Sequence, residues 1–383
     1  MSKLTPPRGY AVKDTERRKD WLSQRTGFTI PPFRLEDPEN LKGLIENHVG
    51  FLALPISVAG PLLIKGDYAE GEFFVPLCTL EGTVSLSMTR GFFLSYVSGG
   101  ITTSHIKQEI GRSPIFALKS LHESRWFMRW IERNYDEIKT IAESTTNHGK
   151  LIRIDKYPVH DRVILEFVYE TGEAAGQNMV TIATDRACRF IHKRISAECD
   201  CRYLLESNFS GDKNPAERAL LNGRGHQVIA SFKAEDRILR KVLRTGVDDF
   251  MRAVIDKQLG SQMAGVLGFN MHTANALAAI YLATGQDVAC VAENAVSIVT
   301  YERCETGLHV SMTMPSVTVG TVGGATRLYQ QHSNLELLGC TGKDSSKKLA
   351  EIICASALAL EVSLAGAIIS NEFAESHSEF GRH

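Results

Sequence analysis

Residues 113–205 constrain the fold most, because the hydrophobic pattern there changes period in a fixed order. The pattern predicts a helix at about 118–142, strands at about 150–154 and 163–169, a helix at about 178–195 and a strand at about 201–205. Tyr157 and Pro158 are predicted to form the turn between the first two strands. Helix, two strands, helix, strand is the order of a small α+β sandwich related to the ferredoxin-like split βαβ unit.

Two Ala-rich apolar segments, at about 265–284 and 348–373, are predicted to form buried helices of a larger domain, the first of them its central helix. A helix that is apolar on all sides has to lie inside the protein. A charged amphipathic helix is predicted just before them, at about 234–255. The predicted fold class is therefore α+β, with a large domain around a central buried helix and an inserted small ferredoxin-like domain.

Composition and charge argue against several kinds of partner. The chain has 383 residues, of which 43% are hydrophobic and 23% charged, and its formal net charge is −1. This near-neutral balance gives no basis for binding nucleic acid or an anionic membrane. No apolar run appears long enough to span a bilayer, the N-terminus lacks an apolar targeting core, and the eight scattered cysteines include no CxxC pair. We therefore expect a cytoplasmic protein with reduced thiols and no metal site.

Residues 311–328 carry a strand-like alternation that ends in a glycine-rich turn at 320–325. Gly320, Gly323 and Gly324 have no Cβ, so the backbone there can turn sharply and approach a ligand closely. Helical residues resume near Tyr329, so the turn can also present N–H groups at a helix start. Two interpretations stay open at this point, a cofactor or phosphate cradle and an ordinary tight turn.

Four titratable residues are candidates for catalysis. Glu81 follows an apolar strand, and apolar surroundings would raise its pKa so that it donates a proton near neutrality. Lys213 lies on a Gly- and Pro-bounded loop, where it is placed to stabilise an oxyanion. Asp287 follows an Ala-rich helix and would couple to both if the three lay together, while His377 in the tail is a possible mobile general acid. Each also has a plain interpretation: a helix N-terminal acid, a solvated turn charge, a loop acid and a surface histidine.

Six segments resemble, in order, the 3-hydroxy-3-methylglutaryl-coenzyme A (HMG-CoA) reductase family in its eukaryotic and archaeal class. They are ENHVGFLALPISVAGPL from residue 46, LEGTVSLSMTRG from 80, GDKNP from 211, GFNMHTANALAAIYLATGQD from 268, TMPSVTVGTVGGATRL from 313, and SLAGAII followed by ESH near the C-terminus. The resemblance covers about residues 16–382 with few gaps.

This resemblance implies a catalytic set of Glu81, Lys213, Asp287 and His377. Lys213 would stabilise the thioester oxyanion and supply a proton. Glu81, coupled to Asp287, would donate a proton in the aldehyde step, and His377 would protonate the departing thiolate. The implied cofactor is NADPH or NADH, which would deliver two hydrides in succession.

The resemblance also implies which residues bind the substrate and the dinucleotide, and which segments of the chain hold each ligand. Those for the substrate would be Arg90, Arg112, Glu206, Asp212, Asn214, Asn270 and His272. Those for the dinucleotide would be Thr146, Asn147, Gly176, Gln177, Asn178, Met179, Gly320, Val322, Gly323 and Gly324. Residues 113–205 would hold the dinucleotide in a non-Rossmann manner, 46–112 and 206–383 would hold substrate and CoA, and 1–45 would form an N-terminal helical segment. The site would form between two subunits, in a homodimer or a dimer of dimers.

Three departures from the family pattern concern the pockets. Asn214 stands where the family has a lysine and Glu206 where it has a serine, which should weaken binding of a carboxylate-bearing acyl group. The family's DAMGMNM reads EAAGQNM from Glu173. Thr146 and Asn147 replace a serine and an arginine that meet the cofactor 2′-phosphate, which favours NADH use or poor discrimination. An alternative is that Lys150 or His148 substitutes for that arginine.

The predicted function is NAD(P)H-dependent reduction of an acyl-CoA thioester through hemithioacetal and aldehyde to a primary alcohol. The default reaction is HMG-CoA to mevalonate, in isoprenoid biosynthesis. One alternative is reduction of another acyl thioester, bound to CoA or to a carrier protein, in specialised metabolism. A second alternative is a non-redox homologue that binds acyl thioesters.

Overall fold

The computed structural model describes residues 5–9 and 11–371. The strands are β1 (Ile56–Lys65), β2 (Glu70–Cys78), β3 (Ile101–Arg112), β4 (Ile115–Ala117), β5 (Lys150–Val159), β6 (Arg162–Glu170), β7 (Arg202–Leu204), β8 (Arg224–Glu235), β9 (Ile298–Cys304) and β10 (Gly307–Val317). The helices are α1 (Val12–Thr26), α2 (Val84–Val97), α3 (Leu121–Arg133), α4 (Tyr135–Glu143), α5 (Gln177–Ile195), α6 (Glu217–Leu221), α7 (Asp236–Leu243), α8 (Val247–Ala264), α9 (Thr273–Thr284), α10 (Val291–Asn294), α11 (Tyr329–Leu337) and α12 (Ser345–Ile369).

The larger core is built on a sheet with strand order β2-β1-β3-β8-β10-β9, in which only the β1–β3 pair is parallel. Helix α12 packs against this sheet and against α2 and α9, and almost every residue of α12 is buried. Gly91 of α2 lets the two helix backbones touch, because a Cβ there would lie 2.1 Å from the carbonyl oxygen of Ala359. The buried helix predicted at 348–373 is thus confirmed as α12.

A second cluster of buried side chains lies between residues 110 and 201. Its strands run in the order β7-β4-β6-β5, all antiparallel, and α3, α4 and α5 connect them. This is the strand order of a ferredoxin-like unit, with β4 as the first strand, which the sequence pattern did not predict. The α+β fold class is confirmed.

Several predicted boundaries are wrong. The hairpin between β5 and β6 turns at His160 and Asp161, whereas Tyr157 and Pro158 belong to β5. Among residues 5–9 and 11–371, β5 pairs with β6 alone, and a proline is tolerated in such an edge strand. The helix predicted at 118–142 is divided at Asn134 into α3 and α4.

The segment predicted as one helix at 234–255 is the end of β8 followed by α7 and α8, with Arg244 in the left-handed region between the two helices. The helix predicted at 265–284 begins only at Thr273. Gly268, at φ 80°, lies so close to the backbone of Ser297 that a Cβ would sit 2.3 Å from its carbonyl oxygen. That loop backbone cannot continue as a helix.

Helix α12 is long and apolar enough to cross a membrane by length and composition, contrary to the expectation from the sequence. However, 89% of its most apolar window is buried inside the protein. Burial in the core accounts for its composition, because a helix surrounded by other elements is apolar on every face.

Candidate active site

Lys213 and Asp287 lie together at the surface of the larger core. Lys213 is on the loop between β7 and α6, with φ of 60°, and its Nζ lies 2.9 Å from Asp287 Oδ2. The other oxygen of Asp287 accepts a hydrogen bond from the backbone N–H of Ala289, which fixes the carboxylate after the end of α9. The hydrogen bond to Asp287 raises the pKa of Lys213, so the ammonium stays protonated at neutral pH.

A buried carboxylate that the sequence analysis missed lies next to this pair. Glu293, on α10, is fully buried and its Oε2 accepts the backbone N–H of Lys213 at 2.6 Å. Its Oε1 accepts the hydroxyl of Thr318 at 2.8 Å and lies 3.3 Å from Arg224 Nε. Burial raises the pKa of Glu293, with Arg224 opposing the shift. An acid in the apolar stretch after Asp287 was the only sequence signal for it.

Arg112, Glu206 and Asp212, all predicted to bind substrate, form one ionic cluster beside Lys213. Arg112 Nη1 lies 2.8 Å from Glu206 Oε2, and its Nη2 lies 3.3 Å from Asp212 Oδ2. The other oxygen of Asp212 lies 3.2 Å from Nη2 of Arg224, which links this cluster to Glu293. The side chains of Arg112 and Arg224 are almost completely buried.

Glu81 lies at the opposite end of α9 from Asp287. Its Oε1 accepts a hydrogen bond from Asn275 Nδ2 at 3.2 Å, and the same amide lies 3.0 Å from His272 Nδ1. The rise of an α-helix places Asn275 about 14 Å from Thr284, the last residue of α9. Glu81 is therefore separated from the Lys213–Asp287 pair within one chain.

Glu81 is also exposed, so the predicted apolar surroundings are wrong for a single chain. Helix α2 begins at Val84, so Glu81 lies in the turn before it and not at its first residue. Asn275, which contacts Glu81, was missed although it lies in the GFNMHTAN segment.

Other predicted substrate residues use their polar atoms within the fold. Arg90 donates to the hydroxyl and carbonyl of Ser363 on α12. The amide of Asn270 donates to two backbone carbonyls just before β9. Asn214 donates to the backbone carbonyl of Asp212 within its own loop. His377 lies outside the described residues.

The glycine-rich turn has a packed part and an open part. Gly320 is buried against residues 173–175, where a Cβ would lie 2.3 Å from the nitrogen of Ala175, and its N–H donates to Gln286 Oε1. Gly323 and Gly324, with φ of 79° and 54°, have open space on the side where a Cβ would stand. The surface available to a ligand is therefore residues 322–324, with Gly320 holding the turn in place.

The N-terminus of α5 lies beside this turn. Gly176, with φ of 85°, begins the helix without a side-chain cap, so Gln177, Asn178 and Met179 form an uncapped first turn. Ala174 pairs with Val322, and Gln177 Nε2 lies 2.7 Å from Cys290 Sγ, one turn after Asp287. An uncapped helix start beside an open glycine turn fits an anionic, phosphate-bearing dinucleotide.

Thr146 and Asn147 precede β5 near this helix start. The hydroxyl of Thr146 accepts the N–H groups of His148 and Gly149 and contacts Met179 Sδ at 2.9 Å. Asn147 is exposed. The two residues therefore lie where they can contact a group held at the start of α5.

The fold and this site define the chain as an α+β enzyme. A family model described as hydroxymethylglutaryl-coenzyme A reductase matches residues 14–382, so the chain belongs to that family. The 3-hydroxy-3-methylglutaryl-coenzyme A reductase of Methanocaldococcus jannaschii is 38% identical over 377 residues, which cover 96% of this chain and 93% of that protein. The protein of the same name from Aeropyrum pernix is 37% identical over 390 residues, which cover 100% of this chain and 92% of that protein.

Solved structures with the same fold include the class II 3-hydroxy-3-methylglutaryl-CoA reductase from Streptococcus pneumoniae bound to NADPH. It superposes on this chain with a TM-score of 0.70 and 20% sequence identity. The superposition covers 86% of this chain and 88% of the Streptococcus pneumoniae chain. At this identity, the likeness concerns the fold alone. The family resemblance read from the sequence is confirmed by the family match and the archaeal relatives.

Proposed function

We propose that this chain reduces an acyl-CoA thioester to a primary alcohol with two equivalents of NAD(P)H, and that HMG-CoA to mevalonate is its default reaction. The observation that supports this most is the Lys213–Asp287 pair, with Glu293 buried beneath it and the open glycine turn nearby. The relatives described above carry the name of this reaction. A cytoplasmic location is part of the same proposal.

The residues present suit the charge changes of such a reaction. The bound dinucleotide would supply a hydride to the thioester carbon and, after its replacement, a second hydride to the aldehyde. Lys213, held protonated by Asp287, stabilises the oxyanion and protonates it to the hemithioacetal. The hemithioacetal hydroxyl then returns its proton to Lys213 as the C–S bond breaks, which releases CoA thiolate and leaves the aldehyde. The thiolate takes a proton from a general acid, for which His377 is the proposed group.

Glu293 is the proposed positioning residue for Lys213, because it holds the backbone of the loop that carries this lysine. It is buried with a raised pKa, and it touches Lys213 through the backbone N–H of that residue. In the second reduction, one proton and one hydride convert the aldehyde to the alcohol. Over the whole reaction, two dinucleotides are oxidised and one thiol is released.

We further propose that two copies of the chain form each site. Helix α8 exposes Ile255, Leu259 and Met263, at 68%, 60% and 83%, and a spacing of four places them on one face. An exposed apolar stripe of this kind is typical of an interface. Since Glu81 is separated from Lys213 by the length of α9, a second copy packed on this face is the proposed source of the missing carboxylate.

The reaction is tested by mixing the protein with HMG-CoA and NADPH or NADH and following dinucleotide oxidation and thiol release. We expect two dinucleotides oxidised for each thiol released, with mevalonate as product. Binding of the same thioesters and dinucleotides is measured by calorimetry. Thioester binding without dinucleotide binding or oxidation would instead support the non-redox alternative.

Asn147→Arg should raise kcat/KM for NADPH by about tenfold relative to NADH, because a guanidinium can pair with the 2′-phosphate that only NADPH carries. The side chain at 147 is exposed, so the substitution should leave folding unchanged. The measurement is the ratio of kcat/KM values for the two dinucleotides. Lys193→Arg, at an exposed position in the last turn of α5 that keeps its charge, is the matched control.

A further inference from the structure

Buried polar atoms that lack an aligned hydrogen-bond partner are concentrated beside Lys213. They are Arg112 Nε, Glu206 Oε1, Asp212 Oδ1, Arg224 Nε and Arg224 Nη2. The Arg224 atoms lie at ion-pair distance from Asp212 and Glu293 but without hydrogen-bond alignment. Buried polar atoms in folded proteins nearly always have partners, so such a concentration marks a place that a polar ligand group completes.

The position of this cluster relates it to the acyl group of the substrate. Lys213, which is proposed to hold the thioester oxygen, follows Asp212 directly in the chain. Asp212 in turn contacts Arg112, and Arg112 contacts Glu206. An acyl group that begins at Lys213 can therefore extend along Asp212 toward Arg112.

The positive charges of the cluster already have carboxylate partners within the protein. Two guanidinium groups, from Arg112 and Arg224, face the carboxylates of Glu206, Asp212 and Glu293. Glu206 also accepts the hydroxyl of Ser210 at 3.1 Å, which fixes the oxygen that pairs with Arg112. A carboxylate on the ligand would have to share Arg112 with Glu206 and would meet like charge at short range.

The unused atoms suit a different ligand group. Arg112 Nε is a buried donor and Glu206 Oε1 a buried acceptor, and the two residues are already joined at 2.8 Å. Both atoms are inaccessible to solvent in this structure, so a ligand reaches them only when the Arg112–Glu206 pair shifts. A hydroxyl or an amide both donates and accepts, so it then matches both atoms. A carboxylate satisfies only the donor, and a site with an unpaired buried polar atom discriminates strongly against the ligand that leaves it unpaired.

We propose that Glu206 is a specificity-determining residue, which shifts the acyl preference of this site away from a terminal carboxylate and toward neutral groups with a hydroxyl or amide. This inference rests on the proposed function, because it assumes that the acyl group of a thioester lies beside Lys213. It concerns which thioester is preferred and leaves the reaction itself unchanged.

Two thioesters that differ only in the terminal carboxylate test this inference. HMG-CoA carries the carboxylate, and 3-hydroxy-3-methylbutyryl-CoA keeps the same hydroxyl and methyl groups without it. Glu206→Ser should raise the ratio of kcat/KM for HMG-CoA to that for the neutral thioester by about tenfold, mainly through KM for HMG-CoA. Glu206→Gln, which keeps the shape and removes the charge, should move the ratio in the same direction.

Glu198→Ser is the control, because it removes one exposed acid from the same part of the chain. An unchanged ratio in both Glu206 variants, with turnover retained, would overturn the specificity role and leave the proposed function standing. If wild type oxidises no dinucleotide with either thioester, the proposed function fails. The ratio of calorimetric dissociation constants for the two thioesters then still decides the role of Glu206.

Discussion

Lys213→Ala should reduce kcat by about 10³-fold, because the variant removes the cation placed to stabilise the oxyanion. The raised pKa that Asp287 gives Lys213 means that the wild-type group is fully charged during turnover. Loss of that charge also removes the ion-pair partner of Asp287, and an uncompensated carboxylate there would oppose the negative charge that develops on the oxyanion. The measurement is steady-state turnover with HMG-CoA, together with dinucleotide affinity by calorimetry, which we expect to remain near the wild-type value.

Lys193→Ala is the matched control for this variant, since Lys193 is an exposed lysine in the last turn of α5. It should keep wild-type turnover. Lys213→Arg keeps the positive charge and should retain more activity than Lys213→Ala. Turnover of Lys213→Ala within tenfold of wild type would contradict an oxyanion role for Lys213.

The buried helices of the fold were predictable, because the apolar pattern of each helix can be read without knowing which elements pack against it. A segment such as 348–373 is apolar on all sides and has to be buried, and α12 is indeed a buried helix. By contrast, β8 was missed. Val228, Ala230 and Phe232 are buried at alternate positions, yet alanine and charged residues among them also suit a helix. Pairing with β3 and β10 decides the outcome, and such long-range contacts leave little trace in a local pattern.

The candidate active site also has a part that the sequence predicts and a part that it does not. The approach of Lys213 to Asp287 joins the GDKNP segment to the end of the segment that closes in GQD, and both segments were recognised in the sequence. Glu293 has no motif of its own, and only the packing of α10 under the Lys213 loop reveals it. The environment of Glu81 could not be inferred, because it depends on what packs against the exposed end of α9. An exposed carboxylate in one chain is consistent with burial in an assembly.

A site shared between two copies leads to a test by complementation. Glu81→Gln and Lys213→Ala should each be inactive as pure proteins. In a dimer with one copy of each, one site has both substitutions and the other has neither. Each mixed dimer keeps one of its two sites and should therefore show about half of wild-type activity. In the unfractionated coexpression mixture, random pairing makes half of the dimers mixed, so that mixture should show about a quarter of wild-type activity.

The matched control is coexpression of Lys213→Ala with Asp287→Asn. These two residues touch at 2.9 Å within one chain and belong to the same half of the site, so no pairing of the two variants assembles an intact site. Turnover is measured on purified mixed dimers that carry a different affinity tag on each copy. Activity in the Glu81→Gln and Lys213→Ala mixture that equals the mean of the two pure variants would show that each site lies within one chain. It would place Glu81 outside the reaction, because the length of α9 keeps this residue away from Lys213 in its own chain.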